Sequence, residues 1–186
     1  MSVLPDHEIR ALGTRLIDPF DPERVQPASY DLTLANEILL PRQESDGYGG
    51  EIPTRGVIDL KDYDPDRYLE RFTIDRFQLL PGKCILGSTV ETLRVPDDLV
   101  ARVEGKSSIG RLFLTAHVTA GFIDSGFQGQ VTLEICNLGP WRVLLYPGMR
   151  IAQVNFTTLT YPCERPYGSP GLGSHYQGQQ GPTAAK

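Results

Sequence analysis

Gln130-Val131-Thr132-Leu133-Glu134-Ile135-Cys136 alternates polar and apolar side chains without interruption. A period of two belongs to a β-strand, where successive side chains point to opposite faces. Val131, Leu133 and Ile135 then share one face, and Gln130, Thr132, Glu134 and Cys136 share the other. The aliphatic face demands a core. Glu134, in the middle of an apolar strand, either faces solvent or lines a site.

Outward from this strand the pattern repeats. Short runs at 29–40, 72–79, 84–90, 100–104, 114–119, 143–146 and 151–157 read as further strands, punctuated by many of the 19 glycines and 15 prolines. Residues 43–55 are polar and Gly-rich and read as a surface loop. Only 5–16, with Ile9, Leu12 and Leu16 at helical spacing, reads as an amphipathic helix. Leu79-Leu80-Pro81-Gly82-Lys83-Cys84-Ile85 and Leu145-Tyr146-Pro147-Gly148-Met149-Arg150-Ile151 resemble each other, each placing a Pro-Gly turn between apolar strands. Pseudo-symmetry and two turns with similar needs both account for the likeness. The expected class is all-β, jelly-roll or barrel-like, with one N-terminal helix. The organisation is one β domain over 1–166 and a Gly-rich tail over 167–186 with little to bury, expected to be mobile.

A chain of 186 residues with 40% hydrophobic and 22% charged residues fits one soluble domain. The net charge of -5 supplies no basic field for nucleic acid. No run reaches the roughly 18 to 20 apolar residues of a membrane helix. Asp6, His7 and Glu8 stand where a signal peptide would be apolar, so the expectation is a cytoplasmic protein. Cys84 and Cys136 sit in apolar strand-like runs and read as small core residues. Together with Cys163 and the histidines at 7, 117 and 175 they lack zinc-ligand spacing.

The densest chemistry lies between Glu104 and Asn137. Gly105-Lys106-Ser107-Ser108-Ile109-Gly110-Arg111 offers two hydroxyls and two cations beside glycines. Leading into a helical turn, it would present them to phosphate; a serine helix cap is the alternative. Gly121-Phe122-Ile123-Asp124-Ser125-Gly126-Phe127-Gln128-Gly129 holds an aspartate that either closes an Asx-turn or orients a water or a sugar hydroxyl.

These elements, in this order, resemble the dCTP deaminase family. Lys106-Ser107-Ser108 followed by Arg111, then His117-Val118-Thr119-Ala120-Gly121-Phe122-Ile123-Asp124, then Leu133-Glu134, match its core. Pro27-Ala28-Ser29-Tyr30-Asp31-Leu32 and the tail passages Pro166-Tyr167 and Tyr176-Gln177-Gly178-Gln179-Gln180-Gly181 match as well. The resemblance implies a distorted jelly roll of the dUTPase type (a β-clip), a homotrimer with sites at subunit boundaries, and a C-terminal lid. Glu134 would be the general base for water attacking cytosine C4. Ser107 and Arg111 would flank that centre, and Asp124 would serve the sugar or a water. Lys106, Ser108, Ile109 and Gly110 would lie along the triphosphate. Ala120, Thr132 and Leu133 would read the pyrimidine, and Tyr167, His175 and Gln179 would close over the phosphates. Magnesium would accompany the triphosphate, with no zinc involved. dCTP is the implied substrate, and dTTP a candidate feedback ligand.

Gly121 separates two versions of this activity. Deaminases that release dUTP carry a histidine there, whereas dUTPases and the dUMP-forming bifunctional members carry glycine. The resemblance therefore implies dCTP converted to dUMP, pyrophosphate and ammonia, supplying thymidylate synthesis. Glycine here would leave room for a second water that attacks phosphate. A deaminase stopping at dUTP, a dUTPase alone and a non-catalytic nucleotide-binding regulator are the competing readings. His175 replaces a lysine frequent in the family's tail, and Lys106 an arginine, which gives up bidentate geometry.

Overall fold

The computed structural model describes residues 2–45, 51–53 and 58–186. Helices are short. α1 spans Asp6–Leu12, with Asp6 and Glu8 in its first turn and Gly13, at φ 47°, ending it. The helix expected over 5–16 therefore stops early, and a 3-10 turn over Gly13–Arg15 completes the segment. α2 is Pro65–Tyr68 and α3 is Ser107–Gly110. No helix among the described residues is long and apolar enough to cross a membrane.

The strands in chain order begin with β1 Ile17–Asp18, β2 Val25–Gln26, β3 Ser29–Thr33, β4 Glu37–Pro41 and β5 Gln43–Ser45. Then come β6 Glu51–Pro53, β7 Leu69–Thr73, β8 Phe77–Leu79, β9 Cys84–Arg94 and β10 Leu99–Gly105. The last five are β11 Leu114–Thr115, β12 Phe122–Ile123, β13 Gln128–Asn137, β14 Val143–Leu145 and β15 Arg150–Thr158. One sheet runs β11-β13-β9-β4-β7, with β1 also on β9; the other runs β12-β10-β15-β3-β2. All pairings are antiparallel, as in a jelly roll.

Three expected strands divide or shorten, two of them because the chain changes partners. Residues 29–40 become β3 and β4, since β3 pairs with β15 while β4 pairs with β7 and β9. At the crossing Leu34 N–H donates to Met149 O, in the turn before β15, and Ala35 N–H to Ser88 O of β9. Residues 72–79 divide in the same way, β7 joining β4 and β8 joining β14. The run over 114–119 keeps strand pairing only at Leu114–Thr115. The loop expected over 43–55 includes a small ribbon, β5 with β6; its remaining residues lie outside the described ones.

The two Pro-Gly passages are equivalent turns. Gly82 and Gly148 have φ 70° and 80°, and Lys83 and Met149 each donate 3.2 Å bonds to the carbonyl three residues back. The likeness thus follows from two turns that require glycine at the same place.

The sheets face each other across one core. Ile38, Ile85, Leu93, Leu133 and Ile135 meet Tyr30, Leu32, Val103, Val154 and Phe156. Burying each such side chain contributes roughly 1.5–3 kcal/mol. Cys136 is buried as expected, but the reading of Cys84 as a core residue is corrected. They stand directly opposite on β9 and β13 and form a disulfide, with Cys84 exposed.

A buried charge fastens the two sheets. Glu91 of β9 is 0% exposed and accepts from Arg24, from Thr33 N–H at 2.9 Å and from Thr33 Oγ1–H at 2.7 Å. Glu91→Ala leaves Arg24 and both Thr33 donors without their acceptor. The variant should lose about 3–5 kcal/mol of stability, read from urea unfolding; a loss below ~1 kcal/mol would show the network to be incidental.

Candidate active site

Glu134 takes its place from the β13 ladder. Leu133 and Ile135 are fully buried, so Thr132 and Glu134 turn to the opposite face, half-buried. Glu134 Oε2 accepts the Val118 N–H at 2.8 Å. Val118 belongs to the loop between β11 and β12, so this bond ties the carboxylate to the His117–Gly121 segment. Leu133 offers its backbone alone to any ligand, its side chain being in the core.

The Lys106–Arg111 segment follows β10. Lys106 is the N-cap residue of α3 but makes no side-chain cap, and neither serine caps the helix. Both serines are exposed, which leaves their hydroxyls presented as the phosphate reading requires. Ile109 packs against the core, and Gly110 has open space around it. Arg111 is exposed at the end of the turn.

Lys106 has a partner that the sequence reading missed. Its Nζ reaches both oxygens of Asp31, at 2.7 and 2.8 Å, and Arg150 Nη1 lies 3.3 Å from the same carboxylate. Asp31 is 0% exposed, whereas the two cations are 25% and 45% exposed. One buried negative charge thus holds two positive groups at the start of α3, leaving a net positive edge. A carboxylate between Tyr30 and Leu32 in a strand was the available signal.

Asp124 is exposed. The turn after it is closed by its carbonyl, which accepts the Phe127 N–H at 3.2 Å, rather than by its carboxylate. Ala120 is also exposed. Gly121 sits where a side chain would not fit. A Cβ there would stand 2.7 Å from Val103 O and 3.1 Å from His117 Cε1. The backbone is drawn in because Gly121 O accepts the Val103 N–H at 2.8 Å. A side chain at Gly121, histidine included, would thus press on β10 and on His117.

Residues of the tail are mostly exposed, in keeping with how little it has to bury, yet hydrogen bonds tie it to the β domain. Tyr167 N–H donates to Ser125 O at 2.7 Å, and its hydroxyl accepts the Tyr176 N–H at 2.9 Å. Gln179 Nε2 donates to Gln130 O at 2.6 Å, while Gln179 Oε1 is buried with no hydrogen-bond partner among the described residues. Thr183 N–H donates to Thr132 Oγ1 at 3.0 Å. His175 is exposed, and its carbonyl accepts from Lys186 Nζ at 2.9 Å. The chain thus gathers Thr132, Glu134, Tyr167 and Gln179 around β13 and Lys106–Arg111 around α3. Among the described residues no hydrogen bond or ion pair joins the two groups.

Comparison with known proteins decides the family. A family profile described as dCTP deaminase-like matches residues 3–159. The chain belongs to the dCTP deaminase-like family. This deaminase-family chain is 47% identical over 189 residues to a Beutenbergia cavernae protein named dCTP deaminase, dUMP-forming, covering 99% of this chain and 94% of that one. A Methanothermobacter thermautotrophicus protein of the same name is 45% identical over 194 residues, covering 100% and 94%. The crystal structure of 2'-deoxycytidine 5'-triphosphate deaminase from Agrobacterium tumefaciens superposes with a TM-score of 0.64 at 26% identity. That match covers 84% of this chain and 48% of the other, so this chain spans about half of it. The expected distorted jelly roll holds.

Asp31→Asn should free Lys106 and Arg150 from their shared charge. It should lower stability by about 1–3 kcal/mol, measured by thermal unfolding. An unchanged midpoint would remove Asp31 from any organising role.

Proposed function

We propose that this protein deaminates dCTP and releases dUMP, pyrophosphate and ammonia. The observation that carries the reading is Glu134: a half-buried carboxylate on a rigid strand, fixed by the Val118 N–H, in a chain whose full-length relatives are named for this reaction. Glu134 takes a proton from the water that attacks C4 of cytosine. It gives that proton to N3, then carries the proton of the new C4 hydroxyl to the amino group as the C4–N bond breaks, leaving a C4 carbonyl and ammonia. The second Glu134 oxygen is free to face that water while the first stays anchored.

The remaining roles follow from placement. Ser107, Ser108 and Lys106, with Ile109 and Gly110 presenting backbone, take the phosphates, and Arg111 stabilises charge developing near the reaction centre. Ala120, Thr132 and Leu133 read the pyrimidine through backbone groups. Asp124, exposed and unengaged by its own turn, takes the 3′-hydroxyl or the water for phosphate cleavage. Tyr167, His175 and Gln179 close over the phosphates. Support for the dUMP-forming outcome is the naming of the relatives.

The protein acts as a homotrimer that assembles each site from two chains. This accounts for two groups of site residues that one chain leaves unjoined. Exposed apolar side chains support self-association: Leu112, Phe113, Leu138 and Trp141 are 50–70% exposed, and Phe113 and Trp141 stack at 6.4 Å. dTTP, which differs from the substrate only on the pyrimidine, would compete at the same site. Among the described residues no three His, Cys, Asp or Glu side chains gather as a metal cage. Magnesium enters this reading on the triphosphate oxygens, and zinc has no part in it.

Glu134→Gln should reduce deamination by about 10²-fold to 10⁴-fold while leaving folding and dCTP binding intact. Chromatography of a single turnover of labelled dCTP with magnesium should yield dUMP and pyrophosphate together. Accumulated dUTP without pyrophosphate would leave a deaminase and reject the second step. Turnover by Glu134→Gln within a few-fold of wild type would sink the whole mechanism. Elemental analysis of active protein should find no stoichiometric zinc; one zinc per chain would overturn the metal-free carboxylate route.

A further inference from the structure

The segment 125–132 carries two glycines, Gly126 and Gly129, and a glutamine, Gln130, to which none of the roles above is assigned. The C-terminal segment lies along this stretch. Gln177 Nε2 donates to Gly126 O at 3.0 Å, and Gln128 N–H donates to Gln177 Oε1 at 3.0 Å. Gly178 N–H donates to Gln128 O at 2.7 Å, and Gln130 N–H to Gln179 O at 3.1 Å. Gly181 N–H then donates to Gln130 Oε1 at 2.6 Å. Backbone and side chain alternate as partners, much as when an extended peptide adds itself to a sheet edge.

The glycines make the approach possible. A Cβ at Gly126 would stand 2.5 Å from Pro166 Cβ and 2.9 Å from Tyr167 N. A Cβ at Gly129 would stand 3.1 Å from both N and O of Gln179. Gln130 is held from the other side, its Nε2 donating to Val90 O at 3.1 Å. Its amide therefore spans from β9 to the tail. It lies where the β13–β9 register shifts, between Gln130 and Thr132. Beyond that irregularity the strand presents Thr132, bonded to Thr183 N–H, and then Glu134 on the same face.

We propose that Gly126, Gly129 and Gln130 are positioning residues: a glycine track and an amide clamp that seat the C-terminal segment on the strand bearing Glu134. Closure over the phosphates then depends on the track as well as on tail groups that meet nucleotide. The kinetic part of this inference rests on the deaminase reading; the docking part does not.

Gly129→Ala and Gln130→Ala, each in the full chain, test it alongside a chain ending at Pro166. Limited proteolysis read by mass spectrometry reports release of 168–178, thermal unfolding reports the domain, and steady-state kinetics with dCTP report closure. Cleavage of the tail should be at least about fivefold faster in both variants, with an unfolding midpoint near wild type. KM for dCTP should rise about tenfold, with kcat falling toward that of the truncated chain. If Gly129→Ala perturbs the domain itself, Gln130→Ala, which leaves the strand backbone intact, still decides. Wild-type protection in Gln130→Ala would overturn the clamp, and a released tail with unchanged KM and kcat would overturn its link to closure. If wild type itself does not turn over dCTP, the proposed function fails while the proteolysis result still judges the track.

Discussion

Everything at the proposed site depends on Leu133 and Ile135 facing inward. Their burial against Leu32, Val154 and their neighbours sets the register of β13, and the strand's period of two then sends Thr132 and Glu134 outward. A slip by one residue would drive a carboxylate into a close-packed apolar interior and expose two aliphatic side chains. The orientation of the general base is thus a by-product of core packing. Val118 N–H needs only to trim the position of a group already pointing the right way.

Two buried carboxylates organise what the core cannot. Glu91 reaches from one sheet to Thr33 of β3 in the other, and Asp31, two residues earlier on β3, gathers Lys106 and Arg150. β3 therefore carries the electrostatic fastening on both counts. In a low-dielectric setting such groups are stable only when every oxygen is engaged, so the loop leading into α3 inherits its placement from a strand more than seventy residues away in sequence. Lys106 is consequently half-committed. Any phosphate it meets must share it with Asp31, which makes Arg150 a natural second cation at that edge.

How much of this could be read in the sequence follows from which interactions are local. The alternation around Glu134, the turns at Pro81-Gly82 and Pro147-Gly148, and the order of the motifs are local, and they led to the fold and the family. Partner exchange is not local. Nothing within 29–40 says that β3 pairs with β15 while β4 pairs with β7 and β9, so one strand was expected where two exist. The same holds for Cys84 and Cys136, whose pairing depends on β9 and β13 lying side by side. Gly126 and Gly129 carried no signal of their own, because the chain that passes over them comes from some forty to fifty positions later. The tail looked unattached because hydrophobicity was the measure, whereas peptide hydrogen bonds hold it.

The disulfide between Cys84 and Cys136 spans 52 positions of sequence, and Lys106, Ser107, Ser108, Arg111, Asp124, Thr132 and Glu134 all fall between its ends. The groups assigned to water attack, base reading and the first phosphate contacts thus sit on one covalent ring. Tyr167, His175 and Gln179 sit on a free end outside it. By chain-entropy reckoning a ring of this size restrains the unfolded polypeptide by roughly 4 kcal/mol, and that restraint falls on the chemistry-bearing half alone. A break in the backbone inside the ring leaves both cut ends tethered to it, whereas a break after Pro166 sheds the cover. The molecule is therefore divided topologically between a part that cannot be lost piecemeal and a part that can.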